Sequence, residues 1–175
     1  MKLNPSKCAF GVASGKFLGF MVSQRGIEAN PEKVRAILNM TSPKIIKEAQ
    51  KLTGRIAALN RFVSKAMDKC LPFFRTPKQA FAWTDKCKKA FLELKHYLSN
   101  PPLLRPSKER GNLYLYLAVL TTAVSAALIR EENKTQLPVY YVSQAFQGVE
   151  AKYLQIEKIA FTLIVASRKL RPYFR

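Results

Sequence analysis

Residues 113–132, LYLYLAVLTTAVSAALIREE, carry no charged side chain from Leu113 to Ile129. A run of 17 uncharged residues must be hidden from water, and the ways to hide it are few. It falls short of the ~20 apolar residues that a membrane span needs. It also contains Thr121, Thr122, Ser125 and two tyrosines. Buried strands are therefore expected: LYLYLAV and AVSAALI joined through Leu120-Thr121-Thr122, a turn at Glu131-Glu132-Asn133-Lys134, and a third strand LPVYYVS. Connections this short make the three strands antiparallel neighbours. A long helix is predicted next, from Glu150 to Leu170, with Ile156, Ala160, Leu163, Ser167 and Leu170 on one face and Phe161, Ile164 and Val165 widening it. A helix so nearly apolar all round is built for burial on more than one side. The first strand, Leu113 to Val119, is expected to leave an open sheet edge.

The rest of the chain differs sharply in charge. The 175 residues hold 30 Lys and Arg against 11 Asp and Glu, a net +19. Residues 31–110 contribute +12 of this, from 18 basic and 6 acidic side chains. Such an imbalance repels itself in a compact fold unless a polyanion is near, so nucleic acid is the first candidate partner. A membrane surface is the weaker alternative, and no membrane partner is expected. Cys8, Cys70 and Cys87 are odd in number and without a C-x-x-C pair, which fits buried thiols in a reducing compartment. MKLNPSKCAF has no apolar signal-peptide core, so the expected location is intracellular.

From the N-terminus, CAFGVASGKFLGFMVSQRGIEANP reads as a β-hairpin turning at Ala13-Ser14-Gly15-Lys16, with a second break at Arg25-Gly26. Asn30-Pro31-Glu32 starts a helix with an Asn cap, Pro in the first turn and an acid at the dipole's positive end. Val34, Ile37 and Leu38 give it one apolar face. Past Pro43, the spacing predicts a helix over Ile45 to Lys69, with Ile45, Leu52, Ile56, Leu59, Val63 and Ala66 inward. On the same wheel Lys47, Lys51, Arg55, Arg61, Lys65 and Lys69 share an arc of roughly 120°. A solvated helix face normally interleaves acids at i,i+4, and this stripe has none, so it is read as phosphate-facing. Gly54 is the point where a break would rotate the two halves apart. Trp83-Thr84-Asp85 caps a further helix, with Cys87, Phe91, Leu94 and Leu98 inward and Asn100-Pro101-Pro102 ending it. Trp83 is read as a core anchor and His96 as an exposed surface residue.

The order KLNPSKCAFG, GKFLGFMVSQRGIEANPEKVRAI, KLTGRIAALNRFVSKA, FAWTDKCKKAFLELKHYLSNPPLL, LPVYYVSQAF, EKIAFTLIVASRKLRPYF resembles the Pol polyprotein of gypsy-type LTR retrotransposons, plant elements most of all. The resemblance implies an α+β chain: residues 1–30 as the last palm strands of a reverse transcriptase, 31–76 as a helical thumb, and 77–175 as a truncated RNase H-like sheet of three antiparallel strands with a long helix. It places Phe17-Leu18-Gly19-Phe20 at the hairpin that grips a primer end, and the cationic stripe where the thumb follows the template-primer duplex. The family holds its polymerase metals on a Tyr-x-Asp-Asp turn upstream of LNPSKC. Its active RNase H domains carry an Asp on the first strand and a Glu on the helix. Here Ala118 and Ile159 fall at those positions, and Glu157 lies about 200° round the helix from Ile159. The implied protein is a duplex-binding part of a Pol polyprotein with the remaining polyprotein as partner, without catalysis or cofactor of its own, although active relatives use Mg. Two alternatives stand beside it: polymerase or hybrid-ribonuclease activity through other residues, and an unrelated basic RNA-associated protein.

Overall fold

The structure, a computed structural model, describes residues 4, 10–17, 19–65, 70, 72–73, 81–108 and 111–174. Three short strands come first: β1 (Ser14–Phe17), β2 (Phe20–Ser23) and β3 (Gly26–Ala29), an antiparallel sheet in that order. The turn expected at residues 13–16 is instead the first strand. Gly15 is extended, whereas Gly19 takes φ +80°, and Phe17 pairs with Phe20 across it. A reversal settles where a residue tolerates positive φ, and Gly19 is that residue.

Helix α1 (Pro31–Leu38) starts as the sequence predicts, the Asn30 side-chain oxygen accepting from Glu32 N at 2.9 Å, with Val34 and Ile37 buried. Helix α2 (Ile46–Ala57) is much shorter than the expected 45–69. Leu59 N donates to Ile56 O and Phe62 N to Leu59 O, so the chain tightens into a 3-10 turn, Asn60–Phe62. Val63 is extended and Lys65 left-handed at φ 52°. The tightened turn buries Leu59, Phe62 and Val63, with exposures of 0–1%. A continued α-helix would also keep these three, at i, i+3 and i+4, on one face; what the turn adds is a tertiary contact, the Tyr97 hydroxyl donating to Phe62 O at 2.9 Å and accepting from Ser64 N. Ile45 caps α2 and is exposed; Ala66 lies outside the described residues.

Helix α3 (Asp85–Ser99) begins at Thr84, whose hydroxyl accepts from Cys87 N, and buries Cys87, Phe91, Leu94 and Leu98. Trp83 stacks on Phe73 with centroids 5.3 Å apart and meets Phe91 edge-on, a core anchor. His96 is exposed.

The second sheet runs β4 (Leu113–Val119), β5 (Ala123–Glu132), β6 (Thr135–Ala145), antiparallel in that order. Strand β5 extends through Glu132, so the turn narrows to Asn133-Lys134, both with positive φ, as a two-residue hairpin matched to strand twist requires. The predicted long helix is two pieces. Glu150 accepts from Gln147 N and closes a 3-10 turn, Gly148–Lys152; Glu157 accepts from Leu154 N and starts α4 (Gln155–Lys169). Two capping carboxylates divide what periodicity alone joins. The buried face overlaps the expected one at Val165 and otherwise differs from it: α4 lays Thr162, Val165 and Ala166 against the sheet. Small side chains there let the helix approach closely. Of the expected face, Ile156, Leu163 and Ile164 remain exposed, while Leu170 is buried just past the helix end.

The two sheets are stitched by the segment after α3. Ile27 and Leu104 exchange backbone hydrogen bonds of 2.8 and 3.0 Å, and Arg105 N donates to Pro138 O of β6. One core lies under α1–α3 and the 3-10 turn, a second between α4 and the second sheet.

Candidate nucleic-acid interface

The β1–β2 turn, α1 and α2 form one cationic face. Phe17 is 65% exposed at the turn, while Phe20 points back and packs on the first core. Leu18 lies outside the described residues. Lys33 of α1 stands above the turn, its Nζ 5.9 Å from the Phe20 ring centroid and 2.8 Å from where a Cβ on Gly19 would be. Gly19 is needed there for its φ; the Lys33 ammonium beside it ends a flexible side chain that can move aside.

Beside it runs a groove of about 460 Å³, walled by Glu32, Lys33, Lys51 and Arg55 and floored by Ala36, Gly54 and Ala58. Gly54 stays within α2 and keeps this floor low. Lys47 and Lys51 are exposed one turn apart on α2 and make no ion pair among the described residues. The Glu32 carboxylate is held by Lys16 at 2.7 Å, and this hydrogen bond keeps its pKa below the ordinary value. The one acid in the groove wall is thus already neutralised.

The stripe does not survive as six cations in a row. Arg55 Nη1 donates to Ala36 O at 2.5 Å and lies 3.6 Å from the Met40 sulfur, fastening α2 to α1. Arg61 leaves α2 altogether. Its guanidinium sits 4.5 Å from the Tyr140 ring and 5.6 Å from the Phe20 ring, and Nη2 donates to the Tyr173 hydroxyl at 3.4 Å. It joins the first sheet, β6 and the C-terminal turn. Lys65 is exposed beyond the helix, and Lys69 lies outside the described residues. Lys33 was missed by the sequence reading, because only the apolar side chains of α1 were followed; it lies three residues after the Asn30 cap and about 40° round the helix from Ile37.

In the second sheet Ala118 pairs with Ser125, whose hydroxyl donates to Val142 O. Ile159 is 42% exposed on α4. Glu157 is occupied as the cap of that helix. Neither position offers a carboxylate oxygen, and among the described residues no group of three His, Cys, Asp or Glu gathers to hold a metal. A hard dication takes clustered oxygen ligands, so this donor set does not suit Mg.

The family described as RNase H-like domain found in reverse transcriptase matches residues 83–175, from the Trp83 anchor through α3, the second sheet and α4. The chain belongs to this family. Its relatives are retrotransposon Pol polyproteins: that of transposon 412 from Drosophila melanogaster is 31% identical over 175 residues, and the Tf2-3 polyprotein of Schizosaccharomyces pombe 25% over 174. The chain spans 14% and 13% of their respective lengths. Among solved structures, the foamy viral protease-reverse transcriptase in complex with RNA/DNA hybrid shares the fold over 94% of this chain and 23% of its own, at TM-score 0.76 and 24% identity. The same enzyme with dsDNA gives 0.71 and 23% identity, over 91% of this chain and 34% of its own. The α+β architecture is thus shared with that reverse transcriptase. No helix among the described residues is long and apolar enough to cross a membrane.

Proposed function

We propose that this part of a retrotransposon Pol polyprotein binds nucleic-acid duplex through its phosphates and performs no hydrolysis or polymerisation itself. In this reading residues 1–30, 31–76 and 77–175 are the palm end, thumb and RNase H-like domain of a gypsy-type element, with the remaining polyprotein as partner. The observation that carries it is the pair of unpartnered cations, Lys47 and Lys51, beside Lys33, the neutralised Glu32 and the Phe17–Phe20 turn. Backbone phosphates need point charges in a row and no base-specific geometry, which lysines on one face provide. Support for the duplex comes from the RNA/DNA hybrid and dsDNA bound by the foamy viral enzyme. Lys65 and Lys69 extend the face only if the chain after Phe62 returns to it. Arg55 and Arg61 hold the face in place from inside.

Lys47→Gln and Lys51→Gln should each weaken binding to an RNA/DNA hybrid equally across sequences and lower the salt slope by about one counterion. Unchanged slopes would make them a solvated face. The absence of catalysis has its own test: Ala118 and Ile159 replace the acids that a two-metal site would need, so pure protein with Mg or Mn should leave hybrid RNA intact. Metal-dependent cleavage that tracks the protein through purification would establish the enzymatic alternative.

A further inference from the structure

Helix α4 presents to solvent a face that its own sheet does not use. Ile156 is 70% exposed and Leu163 50%, with Ile159 and Ile164 flanking them and Ala160 and Ser167 between. These six positions fall within an arc of about 140°; the buried Thr162 and Val165 lie across the helix from it, and the buried Ala166 borders it beside Ile159. A contiguous apolar stripe of this kind marks an interaction surface. It lies in the least charged third of the chain, residues 111–175, with 8 basic and 4 acidic side chains. Two copies could therefore meet there with far less repulsion than along the thumb.

The charges that border the stripe select the occupant. Glu157 and Arg168 are eleven residues apart, which at 100° per residue leaves them about 20° apart on the same flank. In an antiparallel two-fold pair of helices, residues on one flank face the same flank of the other copy with the order reversed. Glu157 of each copy then stands beside Arg168 of the other, at both ends of the contact. Leu163 and Ala160 come opposite each other within about 3 Å of that register, a large side chain beside a small one, twice. A two-fold contact demands this kind of self-complementarity. Among the described residues Arg168 makes no ion pair, and the Glu157 carboxylate has a second oxygen beyond the one accepting from Leu154 N. The docked helices would also carry the exposed Ile159, so the position left without its acid becomes part of a protein contact.

We propose that two copies of this chain associate through an antiparallel α4–α4 contact centred on Ala160 and Leu163. The test is sedimentation equilibrium of the 175-residue chain over a range of concentrations, free of nucleic acid. The parent chain should show a monomer–dimer equilibrium. Leu163→Glu should abolish the dimer, and Arg168→Glu, which brings like charges together at both ends, should weaken it at least tenfold. Circular dichroism and melting serve as the folding control; both side chains are exposed, so at concentrations too low for the parent to dimerise neither variant should melt earlier than it. Were Leu163→Glu to unfold the chain, the comparison of parent with Arg168→Glu would decide alone. A monomer at every concentration overturns the proposal and indicates that other parts of a longer polyprotein cover this face. A dimer indifferent to Arg168→Glu, or an open-ended series of larger species, overturns it as well.

Discussion

Arg61 shows how little a cation's type says about its partner. Periodicity groups it with Lys51, yet its guanidinium lies between Tyr140 and Phe20 while Lys51 reaches solvent. A planar, weakly hydrated guanidinium stacks on aromatic faces, and an ammonium on a flexible stem does this less well. Arg61→Met should therefore cost about 1–2 kcal/mol of stability. It should leave the salt slope of duplex binding where it was. Urea unfolding and a salt titration on one variant check both halves. A slope that falls as for Lys51→Gln would mean that the guanidinium reaches phosphate in the complex.

At the scale of elements, two junctions hold the architecture. Gly26 opens β3 at φ +143°, and a Cβ built there would lie 2.2 Å from Leu104 O. That carbonyl accepts from Ile27 N in the bridge between the sheets, so it has no freedom to retreat. Gly26→Ala should cost at least about 2 kcal/mol, from backbone strain and the displaced bridge together. Denaturant midpoints measure it. Thr84 is the gentler case. Its hydroxyl satisfies the Cys87 amide at the start of α3, and Thr84→Ala should cost about 1 kcal/mol with the Trp83 stack intact. Near-ultraviolet dichroism of Trp83 would report a change if the cap and the stack were coupled.

Across the whole molecule, Tyr97 lies at the seam where α3, the 3-10 turn and β6 meet. Its hydroxyl donates to Phe62 O at 2.9 Å and accepts from Ser64 N. Burial raises its pKa above the ordinary 10.0, and burial, then proximity to Tyr97, raises that of Tyr141 on β6. A phenol with a raised pKa in the folded state stays neutral there after the unfolded chain has begun to ionise. Its contribution to stability is complete below pH 10.0 and is lost as pH rises from there through the folded pKa. Tyr97→Phe should flatten the alkaline loss of stability relative to the parent while lowering stability at neutral pH, since Ser64 N and Phe62 O lose their partner. Equal alkaline slopes in parent and variant would place the titrating groups elsewhere.

The sequence by itself determined the pieces whose causes are local. Asn30 and Thr84 cap helices because their side chains reach amides two and three residues on. The uncharged run at 113–129 forms strands, a reading made from its length and composition alone. Tertiary structure decided what depends on distant partners. After Leu59 the chain leaves the α-helix for a 3-10 turn, whose Phe62 carbonyl and neighbouring Ser64 amide bond the distant Tyr97 hydroxyl of α3. That choice removed Arg61 and Lys65 from α2 and left Lys47 and Lys51 as its free cations. On α4 an apolar wheel offered several faces, and the sheet took the one whose Thr162 and Ala166 are small enough to sit close. Periodicity reports how a segment could be buried; which side is buried depends on the shape of a surface made by residues far away in the chain.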